Sequence, residues 1–215
     1  HHQPEFTMLE WYRSFESLHG IKKDVTELVS YLGRKMPTLK NPSGFDSFTI
    51  QDLFKRYCGF DLRPETTLSQ LQDLAASLGV DVSSANQIDD YFFLIFIEKI
   101  EKKLSLERLS FVEKYPPYQA ALARLTDEGW GDRFEVYWQG CEIANAFHEL
   151  NDPTVQRQRF AEDLAKKRQM KKEEISLDEE FLQCLDAGMP PASGVALGLD
   201  RLFMAMTGMT KISDS

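Results

Sequence analysis

The stretch from Phe134 to Asp152 carries the chain's densest chemistry. Phe134–Trp138 and Cys141–Leu150 are strand-like runs separated by Gln139–Gly140, a two-residue hairpin signal. Such a turn sets Trp138 opposite Cys141, Tyr137 opposite Glu142 and Glu135 opposite Ala144. Glu135 and Glu142 then leave one sheet face at a diagonal reach of roughly 7–8 Å or less. Carboxylates that near repel unless a cation or donors come between them, and Mg²⁺ prefers hard oxygen ligands. The plainer alternative is two glutamates on the wet face of an antiparallel pair. Asn145, Phe147 and Glu149 share a face among themselves but have the opposite parity to Glu142. A β-bulge near Ile143–Ala144 would bring all five to one side, and bulges recur beside active sites.

Two further segments have chemical content. In Pro4–Tyr12, strand alternation places Glu10 and Tyr12 on the face of Phe6 and Met8, an acid among apolar and aromatic groups. Burying that acid requires a cation or donors, such as an ammonium ligand; the alternative is an edge or surface glutamate. In Gly194-Val-Ala-Leu-Gly198-Leu-Asp200-Arg201, a strand of small residues turns into a helix with arginine in its first turn. Glycine permits close approach of a ligand or a backbone, and arginine is the preferred planar donor to phosphate. GxGxxG and Walker lysine loops are absent, which removes those two routes to a nucleotide. His1, His2, His19 and His148 lack metal-site spacing, and no serine or cysteine sits in a nucleophile motif.

The elements that must hold these residues follow from periodicity. Ile21, Val25, Leu28, Val29 and Leu32 form a helical stripe ended by Gly33 and Pro37, and 35–47 reads as a loop. Three helical patterns follow: one capped by Thr49 and closed by Gly59, one over Leu68–Leu78 closed by Gly79, and the longest from Ile88. They make a mostly helical insertion at about 38–108. Ser110–Tyr115 is a strand stopped by Pro116–Pro117. Asp152–Pro153 opens a basic helix, read as a solvated face, and Asp178–Ala187 is one more short helix. Ser193–Gly198 is a strand that leads into a helix at about 200–206. Interleaved helices and strands around a hairpin indicate an α+β fold on an antiparallel sheet.

Composition limits the function. The 215 residues carry 25 Lys+Arg against 34 Asp+Glu, a net charge of −9, which disfavours binding nucleic acid through backbone charge alone. Hydrophobic residues at 42% support a packed core. Cys58, Cys141 and Cys184 are an odd set without CxxC spacing, fitting a reducing, cytoplasmic setting. The most apolar window, Tyr91–Ile97, is too short to span a bilayer. The chain starts with His1 in what reads as mid-strand, so the expectation is a catalytic domain whose N-terminal part is missing.

Together the three segments resemble the class II aminoacyl-tRNA synthetases, lysine branch. His2-Gln-Pro-Glu-Phe6-Thr-Met-Leu-Glu10-Trp-Tyr12 is similar to the second half of motif 2. Phe134-Glu135 through Glu142-Ile-Ala-Asn145-Ala-Phe147-His-Glu149-Leu-Asn-Asp152 is similar to the branch's metal and amino-acid segment, and Gly194–Arg201 to motif 3. Within the branch, His148 stands where lysyl-tRNA synthetases usually have Ser, and Ala196 where they have Gly. Ser193–Gly198 and Tyr115-Pro116 followed by Gln119–Leu122 resemble the paralogues that ligate (R)-β-lysine to elongation factor P.

The resemblance implies an ATP-dependent, Mg²⁺-using ligase that forms an aminoacyl-adenylate. Glu135 and Glu142 would hold Mg²⁺ on the ATP phosphates, with Arg201 on the γ-phosphate, Phe6 stacked on adenine and His2 near the phosphates or base. Glu10 and Glu149 would bracket a distal ammonium, Tyr12, Asn145 and Phe147 would orient the substrate, and Ala196 would narrow the α-amino region toward a β-amino acid. The acceptor would be a lysine of elongation factor P, and the whole protein a homodimer without membrane attachment. Two alternatives stand beside this reading: a lysyl-tRNA synthetase core charging tRNA, and a non-catalytic paralogue acting as a binding subunit. Motif 1 and the first half of motif 2, with its arginine, do not occur in these residues, so the segment by itself is expected to be inactive.

Overall fold

A computed structural model describes residues 5–120, 122–169 and 176–209; Pro4 and His2 lie outside them. A six-stranded sheet runs in the order β1-β6-β5-β4-β3-β2. The strands are β1 (Met8–Ser14), β2 (Phe45–Thr49), β3 (Leu109–Tyr115), β4 (Gly131–Trp138), β5 (Cys141–His148) and β6 (Ala192–Gly198). Every neighbouring pair is antiparallel except β2 with β3. The sheet is therefore mixed, not purely antiparallel, because a helical crossover returns the chain to β3 in the direction of β2. Phe45–Ser47, expected within a loop, opens β2.

The helices fall close to where their stripes and caps predict. In α1 (Leu18–Lys35) Ser17 caps the start, and Ile21, Val25 and Val29 are fully buried. Each such side chain contributes about 1.5–3 kcal/mol of burial, enough to dock an otherwise polar helix. Thr49 caps α2 (Ile50–Cys58) by accepting from the Asp52 amide, and Gly59 closes it in the left-handed region. Thr67 and Gln70 form a capping box on α3 (Leu68–Leu78), with Gly79 left-handed at its end. α4 (Ile88–Ile95) continues through a π-type turn over Phe96–Ile100 and a tight turn over Glu101–Lys103. α5 spans Pro153–Gln169 with Asp152 Oδ1 accepting from the Thr154 and Val155 amides. α6 (Glu179–Asp186) and α7 (Leu199–Thr207) complete the chain's helices among the described residues.

Two cores lie on opposite faces of the sheet. On one, α1 and α7 cover Phe111, Phe134, Val136, Trp138, Ile143, Ala144, Ala146, Val195 and Leu197. On the other, α2–α4 pack on Val112, Tyr115 and Tyr137, so they cover the β3–β4 end. The β5-β6-β1 end of that second face is left for the site. No helix among the described residues is long and apolar enough to cross a membrane.

Candidate functional site

Two irregularities aim the side chains. The β4–β5 hairpin turns at Gln139 (φ 53°) and Gly140 (φ 74°), both left-handed, as the favoured two-residue turn requires. Trp138 faces Cys141 and Tyr137 faces Glu142 as expected, but Val136 faces Ala144 and Glu135 faces Asn145. One residue is thus extra on β5 at Ile143. The expected pairing of Glu135 with Ala144 is corrected by the bulge expected at this place: the added residue shifts every later pair by one and reverses its parity. In β3 the register shifts between Glu113 and Tyr115, with Lys114 at φ 58°. A non-glycine residue held there costs about 1–3 kcal/mol. The return is that Tyr115, rather than Lys114, reaches the site face.

With both bulges in place, two rows of residues cross the sheet. Glu135, Asn145, Ala196 and Glu10 are successive register partners on β4, β5, β6 and β1. Arg133, Phe147, Gly194 and Tyr12 form the adjoining row. At about 4.8 Å per strand, the first row sets its two glutamates roughly 14 Å apart, the scale of an extended amino acid plus a phosphate group.

Glu135 is held on both carboxylate oxygens. Its Oε2 accepts from Tyr115 Oη at 2.6 Å and Tyr137 Oη at 2.5 Å, and its Oε1 pairs with Arg133 Nη2. Burial first holds both phenols well above their ordinary range, followed by the Glu135 carboxylate for Tyr115 and by Tyr115 and then Glu135 for Tyr137, so they remain donors. Glu142 is pushed up to about 7, chiefly by burial and then by the charge of Glu135, against the pull of Arg201. Arg201, in the first turn of α7, donates through Nη1 to the Glu142 carbonyl at 2.9 Å and to its Oε2 at 3.2 Å. A divalent cation would relieve the repulsion between Glu135 and Glu142, and their hard oxygens suit Mg²⁺. Among the described residues no third His, Cys, Asp or Glu completes a metal-holding group, so other ligands would be phosphate oxygens and water.

The second subsite gathers at Gly194. A Cβ there would lie 2.6 Å from Tyr12 Cδ1 and 2.7 Å from Glu149 Oε1, so glycine lets those two side chains converge. Gly198, by contrast, would place a Cβ only in ordinary contact with Arg201. Burial alone pushes Glu149 up to about 7, and among the described residues it has no hydrogen-bond donor or cation. Tyr12 is raised by burial, then by Glu149 and Glu10. Glu10 and Phe6 are exposed, which corrects the expectation of an acid buried among apolar groups: β1 is an edge strand whose site face carries no covering element among the described residues. His148 points the other way in parity and pairs with Asp132 through Nδ1 at 2.8 Å.

Sequence reasoning missed Arg133, Tyr115 and Tyr137. Arg133 is 6% exposed, with its guanidinium 4.4 Å from the Tyr115 ring centroid and 5.2 Å from that of Phe147. Among the described residues its Nε is buried without a partner, a cost of about 1–3 kcal/mol. The available signal was its i−2 spacing from Glu135, which puts both on one strand face.

A family model for class II tRNA synthetases (D, K and N) matches residues 1–215. The chain belongs to this family. Its curated relatives include proteins named elongation factor P–(R)-β-lysine ligase. The one from Proteus mirabilis (strain HI4320) is 36% identical over 219 residues, covering 100% of this chain and 65% of that protein. The one from Haemophilus influenzae (strain PittGG) is 38% identical over 216 residues, covering 99% and 64%. The chain thus spans about 65% of the length of such relatives. Family membership accounts for an α+β domain with a chemistry-bearing sheet face.

Proposed function

We propose that this chain carries much of the active site of an ATP-dependent ligase that activates (R)-β-lysine or lysine and transfers it to a lysine of elongation factor P. The observation that carries the reading is the Gly194 subsite, where the half-buried Glu149, without a donor or cation among the described residues, meets Tyr12 beside Glu10. A buried acid with no cation of its own selects a ligand that brings one, and a neutral side chain would leave it unpaired. The names of the relatives support the same substrate and acceptor.

In this reading the distal ammonium lies between Glu10 and Glu149, with Ala196 crowding the α-amino end, and Tyr12, Asn145 and Phe147 orient the substrate. Its carboxylate attacks the α-phosphorus of ATP in line, pyrophosphate leaves, and a mixed anhydride results. The acceptor amine then attacks the acyl carbon and releases AMP. Catalysis of the first step is mostly positioning and charge neutralisation. Arg201 binds terminal phosphate oxygens and Phe6 stacks on the adenine, while the part expected of His2 at the phosphates or base falls outside the described residues. Glu135 and Glu142 would hold Mg²⁺, which would supply charge neutralisation on the phosphates.

ATP–pyrophosphate exchange on the whole protein, with (S)-α-lysine and (R)-β-lysine side by side, tests the proposal. Preference for β-lysine supports it. Preference for α-lysine followed by charging of tRNA would replace it with a lysyl-tRNA synthetase, and no exchange with either would leave a binding subunit.

A further inference from the structure

We propose that Arg133 is a positioning residue that couples the paired-glutamate subsite to the amino-acid subsite, a role that rests on the function proposed above. One nitrogen, Nη2, pairs with Glu135 and also donates to Asn145 Oδ1 at 3.0 Å, while Nη1 donates to the Gln119 carbonyl at 2.7 Å. The plane of the fork is held between the Tyr115 and Phe147 rings. Arg133 therefore touches a residue of each subsite through a single atom, from a position in the next row of the sheet.

The chemistry of arginine makes this contact directional. A guanidinium has five donors and no acceptor, so only the carbonyl oxygen of Asn145 can face it. The Asn145 amide group is then committed to presenting Nδ2 as the atom left for a ligand, and among the described residues no protein acceptor takes it. A donor there suits a carboxylate or acyl oxygen, not an ammonium. On the other side, Oε1 of Glu135 is held by Arg133 and Oε2 by two phenols, which restricts that carboxylate to one rotamer. Lysine cannot substitute: a single ammonium on a flexible stem reaches one of the three acceptors well, not all three in a plane.

Calorimetric titration of lysine and (R)-β-lysine without ATP tests the coupling in the whole protein. Arg133→Lys is expected to weaken amino-acid binding about tenfold, the scale of one misaligned charge-assisted contact. In an Asn145→Ala background the same change is expected to cost nearly nothing further, because the residue it positions has gone. The Mg²⁺ concentration for half-maximal exchange should rise in Arg133→Lys in both backgrounds. A merely structural arginine would give equal, additive losses in both backgrounds, and that result overturns the proposal. If Arg133→Lys does not fold, Arg133→Met with Glu135→Gln removes the buried pair together and is compared with Glu135→Gln alone. Weaker amino-acid binding in the double variant is expected, and equal binding overturns the proposal. A wild-type protein that binds neither amino acid overturns the functional reading and this role with it. Wild-type binding that Arg133 substitutions leave unchanged overturns the role alone.

Discussion

Glu149, with no donor or cation among the described residues, makes amino-acid binding depend on pH in a way that can be worked out. Burial raises this carboxyl from 4.5 to about 7. The empty folded protein therefore keeps a proton that the unfolded chain has released across that interval. The stability contributed by that proton is whole below pH about 4.5 and is lost as pH rises to about 7. Binding of an ammonium has the opposite preference, because only the ionised carboxylate attracts it. With the group near 7, about one molecule in eleven is competent at pH 6 and about ten in eleven at pH 8, so affinity rises about tenfold over that range and then levels. The lysine ammonium, near 10.4, stays charged throughout. Calorimetry of lysine without ATP or Mg²⁺ reads this directly, and keeps Glu142, raised into the same range, out of the measured step. About one proton should be released per lysine bound near pH 6. Glu149→Gln should flatten the profile and weaken binding at pH 8 by about tenfold to a hundredfold. A Glu149→Gln profile as steep as the wild type would refute the reasoning, since another group would then supply the slope.

Three further outcomes are expected. Gly194→Ala should leave the melting temperature within a few degrees, because the exposed Tyr12 ring can swing aside, yet raise the lysine KM in exchange by about tenfold or more; an unchanged KM would remove Gly194 from the subsite. Tyr137→Phe deletes a buried donor to Glu135 and should cost about 1–3 kcal/mol in urea unfolding, a loss that disappears if Glu135 has no need of the second phenol. Ala196→Gly should widen the region between Glu10 and Asn145 and shift the ratio of kcat/KM values toward α-lysine; an unaltered ratio means Ala196 does not discriminate the isomers.

Much of this protein was decided locally. The α1 stripe, the Thr49 and Thr67 caps, the left-handed glycines at 59 and 79 and the hairpin at Gln139–Gly140 all act within a few residues, so spacing alone predicts them. The candidate glutamates, Asn145, Phe147, Gly194 and Arg201 were legible as candidates for a related reason: their residue types and order resemble a family segment. Tertiary structure decided how they meet. The bulge at Ile143 exchanged Ala144 for Asn145 opposite Glu135, and a one-residue shift is invisible to alternation yet reverses every side chain beyond it. The parallel β2–β3 pair depended on a crossover through three helices. Glu10 turned out exposed because strand position in the sheet, not strand sequence, sets what covers a face. Arg133 looked like an ordinary charged residue before Glu135, since the local pattern carries no sign that Gln119, Tyr115, Asn145 and Phe147 close around it. Those partners come from β3, β5 and the turn between β3 and β4, and only the packed sheet brings them into contact with it.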